Sequence, residues 1–168
     1  GRSADSTLNT LIVQLNRYAR MYAKSAIWGS DFTTQEEFIY LINLKSLGAM
    51  TKIELIKNNI HDKPFGIKTI ERLINQGWVV QKDSTADRRS KIIDITPKGL
   101  NALEQQMDKI RKASTIVTGD LDYNEKMELI RLLTKLDQFH KPIFSANIDS
   151  QYLLQKVYSN YLAAKINL

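Results

Sequence analysis

The chain has 168 residues, 43% of them hydrophobic and 25% charged, with no cysteine and a net charge of +6. That length can bury roughly 70% of the unfolded surface, so one domain, or one compact subunit with an extension, needs neither disulfides nor metal to fold. A thiol redox sensor is excluded, no run approaches the ~20 apolar residues of a membrane-spanning helix, and no signal peptide opens the chain, so a cytoplasmic protein is expected.

The opening Gly1-Arg2-Ser3 lacks a methionine and reads as a cloning remnant. Residues 5–28 set Leu8, Leu11, Ile12, Leu15, Tyr18, Ala19, Tyr22 and Ala26 at three-to-four spacing, which predicts an amphipathic helix. Thr33 or Thr34, followed three residues on by a glutamate, predicts a capping box and a second helix. Phe38, Leu41, Ile42 and Leu44 are its buried face, and Gly48 is its end. Thr51 caps a short helix through Asn58, and a turn over 58–62 leads into another helix from Asp62 or Lys63 to Gln76. Pro64 fits that helix only in its first turn. Ile67, Ile70, Leu73 and Ile74 take its core side, which leaves Lys63, Phe65, Lys68, Thr69 and Arg72 facing outward. Gly66 is expected to loosen the helix start by up to about 1 kcal/mol.

Trp78, Val79 and Val80, then Ile92, Ile93 and Ile95, are two β-rich runs around a charged turn from Asp83 to Ser90. Thr96 is an N-cap and Pro97 a first helical residue. A long helix then carries Leu100, Leu103, Met107, Ile110, Ser114 and Val117 in one stripe to about Thr118. After the break at Gly119-Asp120-Leu121-Asp122, another helix spans 123–140, with Pro142 ending it. Asp149 or Ser150 caps a last helix, Gln151 to Ile166.

The stretch from Asp83 to Gly99 resembles the wing signature of the MarR family of bacterial transcription regulators. It has an acidic residue, a short spacer, an Asp-x-Arg (Asp87, Arg88, Arg89), a β-strand, and then Ile95-Thr96-x-x-Gly99, with Ile95 where leucine is commoner. The resemblance covers roughly residues 8 to 140. It implies a mainly α fold with a small β-hairpin wing. The winged helix-turn-helix DNA-binding domain would occupy 31–96, a helical dimerisation region 5–30 and 97–140, and a C-terminal helical extension 141–168. It further implies a homodimer on a near-palindromic double-stranded operator. Lys63, Phe65, Lys68, Thr69 and Arg72 of the recognition helix, with Asp87, Arg88, Arg89 and Lys91 of the wing, would meet the DNA. Arg89 is expected in the minor groove, held by a charge-assisted bond from Asp87 on the same side of an extended strand, with Arg88 pointing the other way. Pro64-Phe65-Gly66 departs from the small hydroxyl residues many relatives place there, so no base-contact scheme carries over. A small aromatic effector is implied between the two parts, near Tyr18, Tyr22 and Trp28; Trp28 either lines that cavity or seals the helix junction. The last helix either docks on its own subunit or crosses to the partner.

Catalysis finds no footing in the sequence: it has no Cys-His pair, no phosphate-binding glycine loop and no nucleophile elbow. His61 and His140 stand far apart without a ligand-spaced cluster, so neither metal nor cofactor is expected. The competing reading is a winged-helix protein-interaction module that does not bind DNA. Residues 51–100 hold ten Lys and Arg against six Asp and Glu, four of the six net positive charges. A basic face over Lys63, Lys68, Arg72, Arg88, Arg89 and Lys91 favours DNA, and an acidic or apolar one favours a protein partner.

Overall fold

The computed structural model describes residues 1–87 and 89–163. Two sequence expectations, the direction of Arg88 and the final turn of the last helix at Ile166, lie outside the described residues. In chain order the elements are α1 (Ala4–Ala26), α2 (Gln35–Leu47), β1 (Met50–Thr51), α3 (Lys52–Asn58), α4 (Lys63–Asn75), β2 (Val79–Asp83), β3 (Lys91–Ile95), α5 (Pro97–Thr118), α6 (Tyr123–Ser145) and α7 (Ser150–Val157). A π-helical turn, Tyr158–Leu162, follows α7. The fold is mainly α with a small antiparallel sheet, as the wing signature implies. Among the described residues no helix is long and apolar enough to cross a membrane.

Local chemistry sets most helix starts. Thr51, Asp62, Thr96 and Asp122 each accept a backbone N–H from the third residue onward, which satisfies one of the donors a helix start leaves unpaired. The chain divides into two compact units, residues 1–119 and 120–168.

In the first unit, α2, α3, α4, β3 and α5 converge on one core. Tyr40, Leu41, Leu44, Leu55, Ile70, Leu73, Ile93 and Leu103 are fully enclosed there, each aliphatic side chain contributing about 1.5–3 kcal/mol by leaving water. The sheet order is β1-β3-β2, all antiparallel, with Met50 opposite Ile93 and Val79 opposite Ile95. The two-residue β1 has no counterpart in the sequence reading. Thr96 also joins the hairpin to α5. Its hydroxyl donates to the Gly77 carbonyl at 2.6 Å and accepts from the Gly99 N–H at 3.0 Å. A Cβ on Gly99 would sit 2.1 Å from the Trp78 carbonyl oxygen, so only glycine lets α5 start this close to the strand.

In the second unit, Asp122 and Glu125 form a reciprocal capping box at the start of α6. Pro142 does not end this helix, which continues to Ser145. Proline there removes one hydrogen bond close to the terminus, and Gln138, four residues back, is exposed, so water can serve the freed carbonyl. Ile143 is the one buried residue among the described residues of this unit, while Met127, Ile130, Leu133 and Leu136 are exposed along α6.

Candidate nucleic-acid interface

Helices α3 and α4, with the turn between them, form the helix-turn-helix. Asp62 Oδ1 accepts the Phe65 N–H at 2.8 Å, and Pro64 sits in the first turn of α4, where its missing donor breaks no helical bond. Gly66 does more than loosen the helix start. A Cβ there would fall 2.3 Å from Ile56 Cγ1, so glycine is what lets α4 seat against α3. Lys63, Phe65 and Lys68 remain exposed on the outer side.

Two residues expected on that face belong elsewhere. Thr69 is buried, with its hydroxyl donating to the Phe65 carbonyl at 3.1 Å. It falls in the inward stripe Gly66, Thr69, Ile70, Leu73, a helical spacing already present in the sequence. Arg72 is turned to α2. Its Nε lies 3.6 Å from Glu37 Oε2 and its Nη2 donates to the Asp31 carbonyl at 3.0 Å. Glu37 is only 3% exposed, and its carboxylate also accepts from the Thr33 N–H at 3.1 Å and from the Thr33 and Thr34 hydroxyls at 2.5 and 3.3 Å. A buried carboxylate needs such partners. Arg72 supplies the countercharge and thereby fastens the far end of α4.

The wing is the β2–β3 hairpin. Asp87 does not hold the Arg89 guanidinium, because neither residue lies on a strand: β2 ends at Asp83 and β3 begins at Lys91. Its carboxylate accepts the Arg89 backbone N–H at 2.9 Å and the Ser90 hydroxyl at 3.2 Å, which is side-chain mimicry of a backbone turn. Lys91 is paired with Asp83 across the hairpin. Between the wing and the start of α4 lies a cleft of about 190 Å³, lined by Thr51, Lys52, Ile53, Ile56, Lys63, Ile67, Arg89, Ser90 and Lys91. It brings together Lys63, Arg89 and Lys91 from the expected set and adds Lys52, which sequence reading had missed. Among the described residues, four cations and no carboxylate line it. Phe65, Lys68, Thr69, Arg72 and Asp87 do not.

Tyr40 and His61 were also missed. The Tyr40 hydroxyl and His61 Nδ1 are hydrogen-bonded at 2.7 Å, and the His61 ring lies 4.5 Å from that of Phe65. Burial, and then the charges of Glu36 and Asp62, push the Tyr40 phenol up to about 12, so it keeps its proton. No sequence spacing links a tyrosine to a histidine 21 residues on.

A second, open groove of about 430 Å³ lies along α1 and α5, lined by Tyr22, Ser25, Ala26, Trp28, Lys109, Lys112, Ala113 and Ile116. Trp28 is 75% exposed and lines this groove rather than sealing a junction. Tyr18 is half exposed on α1 and takes no part in the lining.

Residues 32–99 match a family model described as a winged helix DNA-binding domain. The chain is 28% identical over 103 residues to the HTH-type transcriptional repressor NicR of Pseudomonas putida, a match covering 61% of this chain and 65% of that protein. The fold is similar to BpsR of Bordetella bronchiseptica, a protein whose DNA binding is regulated by 6-hydroxynicotinic acid. That similarity has a TM-score of 0.74 at 21% identity, over 82% of this chain and 97% of that one. It is also similar to a MarR mutant from E. coli complexed with operator DNA, with a TM-score of 0.71 at 24% identity, over 77% and 93% of the two chains. Residues 32–99 carry a winged helix DNA-binding domain, in a chain whose fold is similar to that of MarR. Its MarR signature is mostly architecture: Asp87 and Ser90 shape the turn, and Thr96 and Gly99 build the joint to α5. Arg89 is left exposed at the wing, its guanidinium without a hydrogen-bonded or ionic partner among the described residues.

Proposed function

We propose that this protein is a sequence-specific transcription regulator that binds double-stranded DNA as a homodimer and is released by a small aromatic effector. The observation that carries the reading is the cleft where the recognition helix meets the wing: Lys52, Lys63 and Arg89 converge there, with no carboxylate among the described lining residues. Cations so placed neutralise phosphates and release condensed counterions. A protein-interaction module would instead present an acidic or apolar surface there. The exposed stripe Leu8, Leu11, Ile12 and Leu15 on α1 and the stripe on α6 support the dimer, since apolar surface of this extent calls for a partner. Two α4 helices then imply a near-palindromic operator with half-sites about one helical turn, ~10 bp, apart. The groove of Tyr22 and Trp28 with Lys109 and Lys112 suits a small aromatic anion, and the ligand of BpsR supports that choice. Such a regulator works in the cytoplasm and needs no catalytic group.

Selection from random-sequence duplexes by the purified protein tests the reading. Recovery of a near-palindromic site whose affinity falls steeply with salt is expected. Failure to enrich any duplex, or a monomer in sedimentation at micromolar concentration, overturns it.

A further inference from the structure

Phe65 is the third residue of α4 and an oddity on a cationic face: a phenylalanine 44% exposed, flanked by the exposed Lys63 and Lys68. It is also fixed in place. Its N–H is held by Asp62 and its carbonyl by the Thr69 hydroxyl. Its ring rests on His61 with the two planes tilted by 57°. Behind His61 stands Tyr40, fully enclosed in the core, with ring centroids 5.6 Å apart and the hydroxyl bonded to Nδ1. The core thus props the histidine and the histidine props the phenylalanine, at the helical turn whose side chains reach base edges. The one apolar group that a base pair presents in the major groove is the thymine C5 methyl.

We propose that Phe65, propped by the Tyr40–His61 pair, reads a thymine through its C5 methyl group in each half-site. The inference rests on the DNA-binding reading above and adds a specificity element to it. Lys63 and Lys68 would anchor the flanking phosphates, and Phe65 would discriminate.

The probe is the duplex recovered by selection, with each thymine replaced in turn by deoxyuridine, which removes only the methyl. One symmetric pair of thymines should prove sensitive, with a roughly three- to fivefold loss of affinity per replacement. Phe65→Ala should bind the thymine and uracil duplexes equally; Phe65→Ser gives the same readout should the alanine variant not fold. Tyr40→Phe, which keeps the ring and removes the hydroxyl, should lower the thymine-over-uracil ratio while affinity for the uracil duplex holds. A merely structural role would lower both affinities together. If wild-type protein is insensitive to uracil at every thymine, or Phe65→Ala keeps the same sensitivity at the same position, the inference is overturned and Phe65 only staples the helix start to His61. Failure to recover any duplex overturns instead the DNA-binding reading on which it rests.

Discussion

The recognition helix and the wing reach the same cleft but are built by different physics. Helix α4 is held at both ends by groups distant in sequence: Tyr40 and His61 brace its start, and Glu37 draws Arg72 toward α2 near its end. The wing is held by its neighbours in sequence, through the Asp87 turn, the Lys91–Asp83 pair and five ladder positions between β2 and β3. Beyond Val79 every residue of β2 is exposed. A helix clamped in this way can discriminate between bases, because its side chains keep a fixed position relative to the core. A locally built hairpin can place a charge without disturbing that core.

Substitutions can sharpen or break this contrast. Arg72→Ala should cost the most, about 2–3 kcal/mol of stability, by stripping Glu37 of its countercharge. Denaturant midpoints measure it, and the salt slope of DNA binding should stay as in wild type. A lowered slope with unchanged stability would return Arg72 to the DNA face. Alkaline pH tests the other clamp. The folded pKa of Tyr40, about 12, lies above its ordinary value near 10, so its contribution is complete below pH 10 and is lost as pH rises toward 12. The loss should be on the order of 2 kcal/mol, read as a stability difference between pH 9 and 11.5 that is absent from Tyr40→Phe.

The wing should answer in the opposite way. Arg89→Ala should leave stability within about 0.5 kcal/mol while weakening DNA binding by roughly 1–2 kcal/mol and lowering the salt slope by about 1. Asp87→Asn keeps an acceptor for the turn, so its DNA affinity should equal or exceed that of wild type. A tenfold loss in that variant would mean that the carboxylate does anchor a guanidinium when DNA is bound. The smallest effect is expected at Ile60, in the turn before α4, where a β-branched residue has φ +55°. Ile60→Gly should raise stability by about 0.5–1 kcal/mol, seen as a higher melting temperature.

Much of the frame was legible in the chain itself. Thr51 and Thr96 marked helix starts because a cap acts within three residues, and the β-rich runs around Asp83–Ser90 marked the hairpin because its partners are close in sequence. The two-residue β1 was not legible in that way: Met50 and Thr51 become a strand only by meeting Ile93 and Ile92, some forty residues on. Thr69 was legible as part of the inward stripe, but Arg72 looked like a reading residue because helical period alone leaves the boundary between faces open, and only the position of Glu37 on α2 settled it. Asp87 and Arg89 would share a side on an extended strand, but a carboxylate within reach of the backbone N–H two residues on favoured a turn. Sequence determined what a few neighbouring residues can decide through hydrogen bonds and period. Tertiary structure decided which side chains became supports and which were left exposed, because burial and ion pairing depend on elements that meet only when the core closes.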